Sequence, residues 1–77
     1  MPRVEFPKNA QYKFLEDVRS KLNVDWSLLS DKIGVSKRTL FDWRREKFKL
    51  SKDALEVCVS LTEGGVKVPQ YTELPDF

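Results

Sequence analysis

Histidine is absent from this 77-residue chain, and cysteine occurs once, at Cys58. The first absence excludes a His-based triad and a histidine general base. The second excludes an intrachain disulfide. Together they leave a structural zinc site short of its usual ligands. The acidic residues are scattered, with no pair placed for glycosidase or metal chemistry, so no catalytic residue, metal or cofactor is assigned. No apolar run approaches the roughly 20 residues that a bilayer span takes. Residues 1–7 lack the apolar stretch of a secretory signal. These readings lead to the expectation of a protein of the cytoplasm, or of a nucleoid within it. No pocket for a small molecule is legible.

What is present fits a small globular domain. Hydrophobic residues make up 40% of the chain and charged residues 34%. A chain of this length buries only about 60% of the surface its unfolded form exposes, yet it can fold alone. Net charge is +2, but the charge is unevenly placed. Residues 32–52 hold eight cations (Lys32, Lys37, Arg38, Arg44, Arg45, Lys47, Lys49, Lys52) against two anions, Asp42 and Glu46. Residues 53–77 reverse the balance, with Lys67 alone against Asp53, Glu56, Glu63, Glu73 and Asp76. A localised basic patch is the footprint of a polyanionic partner; the plainer alternative is a solvated basic face.

Pro2 and Pro7 keep residues 1–8 extended. Asn9 is read as the N-cap of a first helix over about 10–22, with Tyr12, Leu15, Val18 and Leu22 as its inward stripe. Asp25 caps a second helix over about 26–33, where Trp26, Leu29 and Ile33 recur at helical spacing. Gly34 ends it, because a residue just past a helix C-terminus commonly needs positive φ. Val35 is placed as a buried turn residue. Ser36 caps a third helix over about 37–46, with Leu40 and Trp43 facing inward. Phe48 and Leu50 are expected to cover the underside of the core. Ser51 caps a fourth helix over about 52–62, with Ala54, Leu55, Cys58 and Leu61 inward. Cys58 is read as a buried small hydrophobe. Gly64 and Gly65 stop that helix. The remainder holds Pro69 and Pro75 and shows no helical period. Its aromatics, Tyr71 and Phe77, are expected to pack on this domain or on a neighbour.

The predicted organisation is an extended arm at 1–8, a helical domain at 9–63 and an extended tail or linker at 64–77. The predicted fold class is all-α: a compact bundle of four to five helices containing a helix-turn-helix, followed by the extended tail.

The stretch 25–45 concentrates the functional signal. Two short helices meet at Gly34, and the second opens on a serine cap with cations on its outer side. That layout places one helix in the DNA major groove. The flanking helices fall in register around it. On Leu29-Ser30, Ile33-Gly34-Val35-Ser36, Arg38-Thr39-Leu40, Trp43 and the Leu55, Cys58, Leu61 stripe, residues 15–61 resemble the Cro/C1 (XRE-type, lambda-repressor-like) transcriptional regulators. In that resemblance Ser30 takes the place of the small residue packed against the next helix. Gly34 and Val35 form the turn, Ser36 is the cap, and Leu40 and Trp43 point inward. Two departures stand out. Arg44-Arg45-Glu46 replaces the usual Glu followed by Arg/Asn-Gly, and Leu50-Ser51 replaces a common proline.

A recognition helix needs one buried face and one free face. Lys37, Arg38, Phe41, Asp42 and Arg45 are therefore the candidate base contacts. Arg and Lys suit guanine O6 and N7, Phe41 suits a thymine methyl, and Asp42 can accept from cytosine N4. Asp42 can equally pair with Arg38 or Arg45 and hold it. Ser36, Lys32, Arg44, Lys47, Lys49 and Lys52 are the candidate phosphate contacts. The expected partner is double-stranded DNA, read in a sequence-specific way, with a homodimer as the usual way to read paired half-sites. Two alternatives stay open. One is an N-terminal DNA-targeting module of a larger enzyme, such as a homing endonuclease or recombinase. The other is a protein-interaction domain that keeps the fold without DNA, using Phe41 and Phe48.

Overall fold

A computed structural model describes residues 2–74. In chain order these form β1 (Arg3–Glu5), α1 (Ala10–Leu22), α2 (Trp26–Ile33), α3 (Lys37–Arg44), α4 (Lys52–Leu61) and β2 (Thr72–Leu74). The four helix starts match the sequence expectation. Helices α3 and α4 end earlier than expected, at Arg44 and Leu61. The expectations for Phe77 and for the last three residues of the tail lie outside the described residues.

The all-α expectation is corrected by the two strands. β1 and β2 pair antiparallel, with Arg3 opposite Leu74, Val4 opposite Glu73 and Glu5 opposite Thr72. β1 is also tied to the start of α4: the Val4 amide donates to the Leu50 carbonyl (2.9 Å) and the Lys52 amide to the Pro2 carbonyl (3.0 Å). Val4 is wholly buried between solvent-facing Arg3 and Glu5, so one inward side chain anchors the strand. Residues 2–5 of the arm and the described part of the tail are thus joined to the helical body. Val66 joins the same core, and Val68 and Tyr71 pack against it.

That core is built from Phe14, Leu15 and Val18 of α1, Leu29 of α2, Leu40 and Trp43 of α3, and Ala54, Leu55 and Cys58 of α4, with Leu50 beneath. Each large side chain so buried contributes about 1.5–3 kcal/mol. Several expected positions move. Tyr12 lies outside the stripe, 39% exposed, and stacks with Trp26 at 6.5 Å between ring centroids. Leu22, Trp26, Val35 and Leu61 are only half-buried, and Phe48 faces outward. Gln11 takes the buried place that Tyr12 was expected to hold. Its Nε2 donates to the carbonyls of Trp43 and Phe48, both at 2.9 Å, and its Oε1 accepts from the Leu50 amide at 3.0 Å. One buried amide thereby stitches the α3–α4 connection to α1. Its polarity is tolerated because both N–H donors and the carbonyl oxygen find partners.

Asn9 is not a side-chain cap. It adopts φ 70° and its side chain makes no capping bond, since a capping side chain needs the extended conformation. Glu46 does the work from a distance: its carboxylate accepts from the Asn9 amide (3.1 Å) and the Tyr12 amide (3.4 Å). Among the described residues no helix is long and apolar enough to cross a membrane.

Candidate functional site

The α2–α3 unit is positioned by local chemistry. The Asp25 side chain accepts from the Leu28 amide at 2.7 Å and starts α2. Gly34 ends it at φ 88°, where any side chain would be strained. The amides of Gly34 and Val35 both bond the Ser30 carbonyl, at 2.9 and 3.0 Å. Ser30 itself is fully buried, with its hydroxyl donating to the Ser27 carbonyl at 2.7 Å. Ser36 then adopts an extended conformation, and its Oγ accepts from the Thr39 amide at 3.1 Å. The same hydroxyl bonds Thr39 Oγ1. Its expected capping role is met in full.

Helix α3 turns two unlike faces. Leu40 and Trp43 are 2% and 4% exposed. Lys37, Arg38, Phe41 and Arg45 are all exposed. At 3.6 residues per turn these four fall within an arc of about 100°. Phe41 is 45% exposed, and the Arg45 guanidinium lies 5.3 Å from its ring centroid. Such a cation–π contact at the surface is worth about 0.5–1 kcal/mol and limits the freedom of the arginine. Lys32, Lys47 and Lys49 are exposed as well, with the Lys47 ammonium 5.6 Å from the Phe48 ring centroid.

Three expected contacts are placed otherwise. Asp42 is 6% exposed and so is withdrawn from any base edge. Its Oδ2 accepts from Arg38 Nε at 3.4 Å, one helical turn back, which is the pairing alternative. Its Oδ1 is buried with no partner among the described residues. Leaving a buried acceptor unmet costs about 1–3 kcal/mol. Lys52 is engaged elsewhere: its ammonium bonds the Glu73 carboxylate at 3.0 Å and ties α4 to β2. That bond, with the Glu73 charge, raises the lysine above its ordinary pKa. Arg44 is drawn inward. Its guanidinium sits 4.0 Å from the Trp26 ring centroid, and Arg19 approaches the same ring at 5.3 Å. The indole offers Arg44 a flat, electron-rich face that competes with solvent.

A residue absent from the sequence reading also enters. Ser27, in the first turn of α2, joins Trp26, Lys37, Arg38, Phe41 and Arg44 around a surface cleft of about 360 Å³. Its position just after the Asp25 cap was the available signal, since first-turn amides lack intrahelical partners. The cleft combines cationic side chains with aromatic walls, so it is suited to an anionic or polar, partly aromatic surface.

Fold and site together define a small, mostly helical domain closed by a two-stranded sheet and carrying one basic helix face. Comparison of the chain with protein-family models, with curated proteins and with solved structures finds no match.

Proposed function

We propose that the chain binds double-stranded DNA in a sequence-specific way, with α2 and α3 acting as a helix-turn-helix and α3 entering the major groove. The observation that carries this reading is the exposed Lys37, Arg38, Phe41 and Arg45 surface on the side of α3 opposite Leu40 and Trp43. A helix set this way presents its early residues to base edges. Lys37 and Arg38 suit guanine, and Phe41 suits a thymine methyl. Lys32, Lys47 and Lys49 suit phosphates, a contribution that weakens with salt. The Lys37 and Arg38 amides at the start of α3 add neutral phosphate donors. The resemblance to Cro/C1 regulators is in keeping with this reading and suggests transcriptional control on the nucleoid.

The test is selection of bound duplexes from a random-sequence pool at low and moderate salt, followed by sequencing. An enriched motif with a steep loss of affinity at higher salt is the expected result. Palindromy in the motif, with half-sites about 34 Å apart, would report a homodimer. Binding without enrichment would reduce the role to non-specific attachment.

A second reading is favoured by one observation: Leu28, Phe41 and Phe48 are 45%, 45% and 55% exposed. These side chains suit a protein partner. Complex formation that survives high salt, with no duplex binding at low salt, would select that reading.

A further inference from the structure

We infer that Asp42 is a positioning residue that aims Arg38 at guanine and so sets base choice at one point of the site. This rests on the DNA-binding reading above. Asp42 is a poor device for stability. Its carboxylate is 9% exposed while its partner Arg38 is 73% exposed. The bond between them is long, 3.4 Å, and the second oxygen is buried without a partner among the described residues. A buried charge so weakly compensated is better removed than kept, if folding alone is at stake.

The geometry gives it another use. Guanidinium has five N–H donors in a rigid fork. Asp42 occupies Nε on a side chain that is 73% exposed, which leaves the terminal Nη groups for an outside partner. Those two groups form the end of the fork that fits guanine O6 and N7 together. Arg38 and Asp42 are also one helical turn apart, in the i,i+4 relation that brings side chains together. Arg45 shows the same arrangement by different means, since it is held over Phe41, four residues back. Both outward arginines on this face are thus steadied by a neighbour on the same face or its edge. A fork whose direction is set before contact loses less side-chain entropy on binding.

The test compares the full chain with Asp42→Asn and Asp42→Ala, after selection has identified the bound sequence. Melting is measured first, then competition between the selected duplex and one with G·C changed to A·T at the Arg38-dependent base pair. Wild type is expected to discriminate on the order of 10- to 100-fold there. Both variants are expected to melt at the same or a higher temperature and to lose about tenfold or more of that discrimination. Affinity for an unrelated duplex stays equal or rises, because a negative charge has left. In an Arg38→Ala background the Asp42 substitutions change discrimination no further. Variants that discriminate like wild type would overturn the inference and leave the DNA reading standing. Variants that lose stability and all binding together would make Asp42 merely structural and overturn it as well. A wild-type chain that selects no sequence would remove the DNA reading, and the inference with it.

Discussion

Helices α3 and α4 open with the same two residue types, a capping serine and a lysine. Ser36 accepts from the Thr39 amide at 3.1 Å, and Ser51 accepts from the Ala54 amide at 3.2 Å. Each helix then buries a stripe: Leu40 and Trp43 in one, Ala54, Leu55 and Cys58 in the other. Beyond this the two diverge. Lys37 is exposed at the head of α3, whereas Lys52 is held by Glu73. The outer side of α3 shows Lys37, Arg38, Phe41 and Arg45; that of α4 shows Asp53, Glu56 and Ser60. α4 places Asp53 in its first turn, and α3 places no acid there. Acids at a helix N-terminus suit the helix dipole and cations oppose it. α4 is therefore arranged for stability throughout. α3 matches it in caps and core but sets two cations against its own dipole, which points to a use for them outside folding.

The comparison can be broken first at the core, where the two helices are alike. Leu40→Ala and Leu55→Ala are each expected to cost about 2–5 kcal/mol in urea unfolding. A small loss for either would show that its helix is not held by its buried stripe. Next comes the outer face, where they differ. Arg38→Ala is expected to weaken the selected duplex by about 1–3 kcal/mol, with a separate loss of stability because buried Asp42 loses the side chain it accepts from. Glu56→Ala, its counterpart on α4, is expected to leave duplex binding at the wild-type level. Equal effects would erase the functional difference between the faces.

The caps supply the control of intermediate size. Ser36→Ala and Ser51→Ala are each expected to destabilise by about 1 kcal/mol. The Ser36 change should also weaken DNA binding through a frayed α3 start. A smaller effect separates dipole from function most cleanly. Lys37→Glu is expected to raise stability by about 0.3–1 kcal/mol while lowering duplex affinity. A change that moved both quantities in one direction would show that Lys37 serves folding.

At neutral pH the smallest signal belongs to Cys58, on the inward side of α4. Burial pushes its thiol from 9.0 up to about 12. The folded state therefore holds the proton where the unfolded chain releases it. The resulting stability is complete below pH 9.0 and is lost as pH rises toward about 12. Cys58→Ala is expected to flatten that alkaline limb of the unfolding curve, and native wild-type thiol should resist Ellman's reagent until urea unfolds the chain.

The legible parts of this protein are those with local causes. Asp25, Ser36 and Ser51 cap as expected, because a cap joins residues three apart. Gly34 takes positive φ because a turn of that shape demands it there. Leu29, Leu40, Trp43, Leu55 and Cys58 are buried as their spacing indicated. In the candidate site Lys37, Arg38, Phe41 and Arg45 are exposed together, because helical geometry alone fixes which residues oppose Leu40 and Trp43. The placements of Asp42, Arg44 and Lys52 share a different origin. Asp42 lies at the edge of that exposed arc, where helical angle does not decide between solvent and burial. Arg44 was drawn away by Trp26, which lies on a different helix. Lys52 was claimed by Glu73, 21 residues later.

Sequence by itself determined the starts and caps of α2, α3 and α4, the turn at Gly34 and the two-faced character of α3. These follow from interactions within one or two helical turns, whose partners are set by covalent spacing. Tertiary structure decided the pairing of β1 with β2, the Glu46 bonds that start α1, the use of Gln11 as a buried stitch, the burial of Asp42, the placing of Arg44 over the Trp26 ring and the pairing of Lys52 with Glu73. A three-residue strand has no periodicity to read, and a glutamine or glutamate carries no mark of a distant partner. For such groups the environment is set by which segments happen to meet, and only the folded chain brings them together.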